Sequence, residues 1–172
     1  MRWILYIGLA LVVVAALVLA IGAMLPKQHT VSRTTRARMP PQALYTLLAD
    51  VSSYPTWRAG LKGLERLPDK NGMPAWIEDT SGMKIPMRFE RMDPQLLVTR
   101  IDSTDLPFGG TWTYRIEALP DGESSLTITE DGEVSNVFFR FMSRFVFGHY
   151  ATMDEFIGGL QARAGKQEEG KK

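Results

Sequence analysis

The chain has 172 residues, enough for one domain with its own core plus a short appendage. Its 20 Lys and Arg against 19 Asp and Glu leave a formal net charge of +1. That near-balance argues against a nucleic-acid binder, whose affinity rests on concentrated positive charge. With no cysteine in the chain, disulfides, thiolate metal sites and a cysteine nucleophile are excluded.

An uncharged run from Trp3 to Leu25 comes first. As a helix rising 1.5 Å per residue it reaches roughly 34 Å, against about 30 Å for a hydrocarbon core. Residues 1–26 are therefore read as a single-pass N-terminal transmembrane helix, with the membrane as a partner through residues 3–25. A cleaved signal peptide, with Ala20 and Gly22 as small residues at its end, is the competing reading. The run exceeds the usual ~7–15 residues of a signal-peptide core, which favours the anchor. Lys27, Arg33, Arg36 and Arg38 follow the span and Arg2 precedes it. Because those arginines fall in the next domain, the charge rule leaves the side of that domain open.

Gln28 to Ala37 alternates and is rich in β-branched residues, as a strand would be. Pro41 at a first helical position, with Leu44, Leu47 and Leu48 behind it, predicts a helix over 41–49. A turn over Asp50–Pro55 and a second short helix near 56–61 follow. The pattern then changes to period two, in segments near 62–68, 74–80, 83–92, 96–103, 110–119 and 124–134. Turn signals such as Lys70-Asn71-Gly72, Asp93-Pro94 and Pro120-Asp121-Gly122 separate them. Six strands with short connections describe an antiparallel meander. Residues 136 to about 164 are helical again with a bend at Gly148, and 165–172 read as a disordered tail. The fold class is α+β: an antiparallel sheet curved around a long C-terminal helix, with a concave space between them where small-molecule sites form.

Alternation places Trp112, Tyr114 and Ile116 on one face, and Ile85, Met87 and Phe89 on one face with Arg91. Leu126 and Ile128 lead likewise to Glu130. Met87, Phe89, Trp112 and Tyr114 are thus candidate cavity-lining residues, with ordinary core as the alternative. Arg91 and Glu130 are possible polar cavity groups, with solvent beyond the sheet edge as theirs. Neither histidine carries a visible site: His29 reads as solvated linker and His149 as a capping or packing residue. Metal-ligand spacing, phosphate loops and nucleophile elbows do not occur, and no cofactor or metal is implied. The segment NVFFRFMSRFVFG, 136–148, carries more apolar surface than one core-facing stripe needs. It is read either as buried on most sides or as touching lipid, with Arg140 and Arg144 reaching headgroups.

The stretches MPPQALYTLLADVSSYPTW (39–57), FGGTWTYRIEALPDG (108–122), SLTITEDGEVSN (125–136) and GHYATMDEFIGGLQA (148–162) carry a resemblance. In this order the chain resembles the START-like, birch-pollen-allergen-like helix-grip superfamily, also called SRPBCC. It is most similar to the polyketide cyclase/dehydrase and lipid-transport group. The resemblance implies a domain over residues 27–164. It also implies that SSYPTW closes the cavity mouth, with Trp57 as a core plug, a ligand contact or a membrane-facing aromatic. The function so implied is binding of an apolar small molecule or lipid at a membrane. The alternatives are a cyclase- or dehydratase-like enzyme acting on a hydrophobic substrate, or a protein-interaction module.

Overall fold

The apolar run after Arg2 is rich in leucine and alanine, good helix formers, and Arg2–Met24 forms one helix, α1. Its most apolar 18-residue stretch has a mean hydropathy of 3.0 and is left uncovered by the rest of the chain, while Gly22 near its end is buried. In this computed structural model, which describes residues 2–80, 82–148 and 150–169, α1 runs directly into the first strand. The strands are β1 (Gln28–Ala37), β2 (Leu61–Lys70), β3 (Met73–Thr80), β4 (Met83–Asp93), β5 (Leu96–Ile101), β6 (Phe108–Ala118) and β7 (Ser124–Val134). They form one antiparallel sheet in the order β1-β7-β6-β5-β4-β3-β2, so the meander from β2 to β7 closes on β1.

Helix α2 (Pro41–Ala49) starts at its proline and buries Leu44 and Leu48. The second short helix is a 3-10 turn over Val51–Thr56, earlier than the expected 56–61. Pro55 lies inside it, and the Tyr54 hydroxyl donates to the Leu48 carbonyl at 2.7 Å, tying the turn back to α2.

The C-terminal helix is broken rather than bent. Val137–Met142 forms α3, a π turn follows over Ser143–Phe147, and α4 covers Ala151–Glu169. Gly148, at φ 73°, takes the left-handed conformation that ends the first piece. Only α4 lies in the grip of the sheet. Its Met153, Phe156 and Leu160 are buried against Leu97, Tyr114, Ile116, Leu126 and Ile128. Its backbone stays helical through Glu169, into the stretch read as a tail, and residues 170–172 lie outside the described ones.

Helix α3 goes elsewhere. It packs on the end of α1, where a side chain on Gly22 would overlap the Val137 carbonyl.

Candidate functional site

Between the concave face of the sheet and the start of α4 lies a cavity of about 290 Å³. Strand period decides its walls. Cross-strand pairs set Trp76 opposite Met87, Glu78 opposite Ile85, and Thr99 opposite Trp112. These residues and Tyr114 all face the hollow, with Glu130 from β7 and Glu155 from α4. The apolar wall is Trp76, Ile85, Met87, Ile101, Phe108 and Trp112. Two glycines, Gly109 and Gly110, supply backbone alone at the start of β6. At Gly110, φ is 138° and a side chain would overlap the Asp131 carbonyl.

Four of the expected site residues meet there: Met87, Trp112, Tyr114 and Glu130. Three do not. Trp57 is a core plug instead of a wall residue, 8% exposed and packed edge-on against Tyr54 and Phe156 with centroids 5.2 Å away in each case. Its carbonyl takes the space a side chain at Gly159 would need. Phe89 is fully buried against Trp76, centroids 5.1 Å apart, outside the lining. Arg91 points out to solvent and pairs with Asp93. The cause is a β-bulge at Glu90: Phe89 lies opposite Thr99 but Arg91 opposite Val98, so alternation slips by one. The inward set resumes at Met92, opposite Leu97.

Glu130 accepts a contact from His29 at 3.2 Å. The expectation of a solvated His29 is therefore corrected. It lies on β1 opposite Gly132, its side chain is 18% exposed, and its ring fills the volume that a Gly132 side chain would take. His149 lies outside the described residues.

The most polar element of the cavity is one that periodicity did not single out. Arg58 donates to Glu78 at 2.8 Å, and both are less than a tenth exposed. Trp76 Nε1 donates to the same carboxylate oxygen at 3.1 Å. The guanidinium lies 5.2 Å from the Tyr54 ring centre and 5.3 Å from that of Phe156. Burial works against the Arg58 charge, yet Glu78 more than offsets it and the group stays cationic. Arg58 Nε has no hydrogen-bond partner among the described residues. Glu78 was legible in principle, because alternation on β3 puts it on the face of Trp76. Arg58 was not, since a turn residue has no period.

Tyr114 is held neutral: burial raises its pKa, and Glu78 and Glu130 add to that while Arg58 and Thr99 oppose it. It is therefore a hydroxyl donor at neutral pH. Glu155 accepts from the Gly60 backbone N–H at 3.0 Å, which fastens the start of α4 to the entry of β2. Among the described residues, no three His, Asp or Glu side chains converge as metal ligands. The arrangement can enclose an apolar body and hydrogen-bond one polar group on it.

The sequence matches no protein-family model and no curated protein. Solved structures do match. A START superfamily protein from Mycobacterium smegmatis superposes with a TM-score of 0.65 at 19% identity, over 81% of this chain and 99% of that one. The fold is the START-like helix grip. The Zhui aromatase/cyclase of Streptomyces sp. R1128 shares that helix grip, with a TM-score of 0.65 at 15% identity over 81% of this chain and 95% of its own. So does norcoclaurine synthase of Thalictrum flavum, at 0.63 and 9% identity, over 82% and 96%. Identities this low speak to the START-like fold, and the chemistry of this chain has to be argued from its own cavity.

Proposed function

We propose that the chain is a membrane-anchored binding domain for a compact hydrophobic molecule bearing one polar group. The observation that carries this is the hollow between sheet and α4, walled by aromatic and aliphatic side chains around the buried Arg58–Glu78 pair. Its size lies at the low end of the roughly 300–1,000 Å³ of small-molecule sites. That favours a compact ligand over a two-chain lipid. Arg58, Tyr114 and Thr99 would engage the polar group, and Met87, Trp112 and Phe108 the apolar body. The uncovered apolar surface of α1, long enough to cross a bilayer, supports the anchor.

The test is extraction and mass spectrometry of molecules retained by the full chain purified in nanodiscs, together with displacement of an apolar fluorescent probe. Met87→Trp, which fills the hollow, abolishes retention and probe binding if the reading is right. Unchanged probe binding in that variant would place the probe elsewhere and remove the reading.

One observation favours a second reading. Tyr114 and Glu130, a neutral hydroxyl and a carboxylate, face the same cavity. Such a pair suits proton transfer on a bound substrate, as a cyclase- or dehydratase-like enzyme needs. Under it, Tyr114→Phe keeps ligand retention and loses conversion of the retained molecule.

A further inference from the structure

The Phe-rich segment is not absorbed by the cavity. Phe138, Phe145 and Val146 are 47%, 59% and 58% exposed, on a piece of chain that does not enter the core under the sheet. Where that piece sits is defined by α1. Gly22 is buried beneath Val137, and Arg140, 8% exposed, reaches the end of α1. Its Nη1 donates to the Leu25 carbonyl at 3.1 Å and the Gly22 carbonyl at 3.4 Å, and its Nη2 to the Ser135 carbonyl at 3.2 Å. A cation thus closes carbonyls that a helix terminus leaves open, at the end where the helix dipole favours positive charge. The joint is specific and it fixes α3 at the level where α1 ends.

Helix α1 is roughly as long as a hydrocarbon core is thick, so its last turn lies at the boundary with the headgroups. The apolar side chains of α3 and the π turn are held at that same boundary, continuous with the uncovered surface of α1. Exposed Lys27 and Arg144 flank them, at the depth where such side chains extend to headgroups. The cavity points the same way. β1 begins at this end of the sheet, with Gln28 opposite Glu133, and β7 ends there, with Val134 opposite Phe108. The lining reaches the same end at Thr80, Ile101 and Phe108, all partly exposed.

We propose that α3 and the π turn form a foot embedded in the surface of the bilayer that α1 enters, holding the cavity mouth against the lipid. The surface committed to is a lipid bilayer, and the proposal rests on the anchored reading given above. Its ligand would then pass between cavity and membrane without crossing water.

The absence of cysteine allows single labels on the full chain. An environment-sensitive fluorophore is placed on Phe138→Cys, Phe145→Cys, Val13→Cys and Glu117→Cys, each in phosphatidylcholine–phosphatidylglycerol nanodiscs. Labels at 138 and 145 are expected to shift to the blue and lose most of their emission to nitroxides near the headgroup end of the acyl chains. The label at 13 is quenched by deep nitroxides, and the label at 117 by neither. Quenching at 13 with positions 138 and 145 behaving like 117 overturns the foot and leaves the anchor standing. Escape of position 13 from deep nitroxides removes the anchor and the foot together. A benzophenone at position 145 that links chain to chain instead of chain to lipid assigns the surface to protein and overturns the proposal.

Discussion

The Arg58–Glu78 pair is the feature whose cost has to be explained. Two charges are taken out of water, and the benefit is one close contact and two neighbouring rings beside the guanidinium. Glu78→Gln keeps an acceptor for Trp76 but leaves Arg58 buried without its counter-charge. It should lower unfolding stability by about 3–5 kcal/mol, read by denaturant titration. The double replacement Arg58→Met with Glu78→Leu removes both charges and should restore most of that loss, since apolar substitutes for a buried pair are often neutral. If the pair serves the ligand, the double variant folds and no longer retains it. A double variant as unstable as Glu78→Gln would assign the pair to folding instead.

At the scale of elements, two neighbouring glycines in α4 should respond in opposite directions. Gly158 faces open space, whereas a side chain at Gly159 would overlap the Trp57 carbonyl. Gly158→Ala should stabilise the helix by about 0.5–1 kcal/mol, because glycine loses more freedom on ordering. Gly159→Ala has to push α4 away from a backbone atom, and overpacking of that kind costs about 1–3 kcal/mol. Thermal melts of the two variants side by side decide it; equal shifts would mean that α4 does not rest on the Trp57 turn. The same close approach explains how a tryptophan after a turn becomes a plug. The 3-10 turn and α4 meet backbone to ring, with Phe156 between Trp57 and Tyr114.

For the molecule as a whole, pH dependence has a different origin at each end of the scale. On the outer face Glu90 is held below its ordinary 4.5 by a hydrogen bond from Arg100, and Asp102 below 3.8 by one from Lys70. Depressed carboxylates contribute stability above those values that is lost as pH falls through them, and at exposed sites the amount is small. Tyr54 and Tyr114 behave oppositely. Burial raises both, so their stabilising neutral state is fully present below the ordinary value of 10.0 and the folded state is penalised as pH rises beyond it. Unfolding midpoints should therefore fall more steeply above pH 10.0 than in mild acid. Tyr114→Phe should flatten that alkaline limb; an unaltered limb would mean that the Tyr114 hydroxyl ionises in the folded chain.

What the sequence determined by itself was whatever depends on near neighbours. The uncharged run of α1, the proline start of α2, the alternation of each strand and the turn signals between them all act within a few residues. The order of β2 to β7 followed from short connections, whereas the pairing of β1 with β7 did not. The inward placement of Met87, Trp112, Tyr114 and Glu130 needed nothing beyond period two. Tertiary structure alone decided the rest. The slip at Glu90 that sends Arg91 to solvent is a matter of pairing with β5. Whether an inward aromatic lines space, as Trp112 does, or fills it, as Phe89 and Trp57 do, depends on what stands opposite. The partners of Arg58, His29 and Arg140 lie 20, 101 and 115 positions away. Local pattern records how a chain coils or extends; it holds no record of which distant surface closes over it.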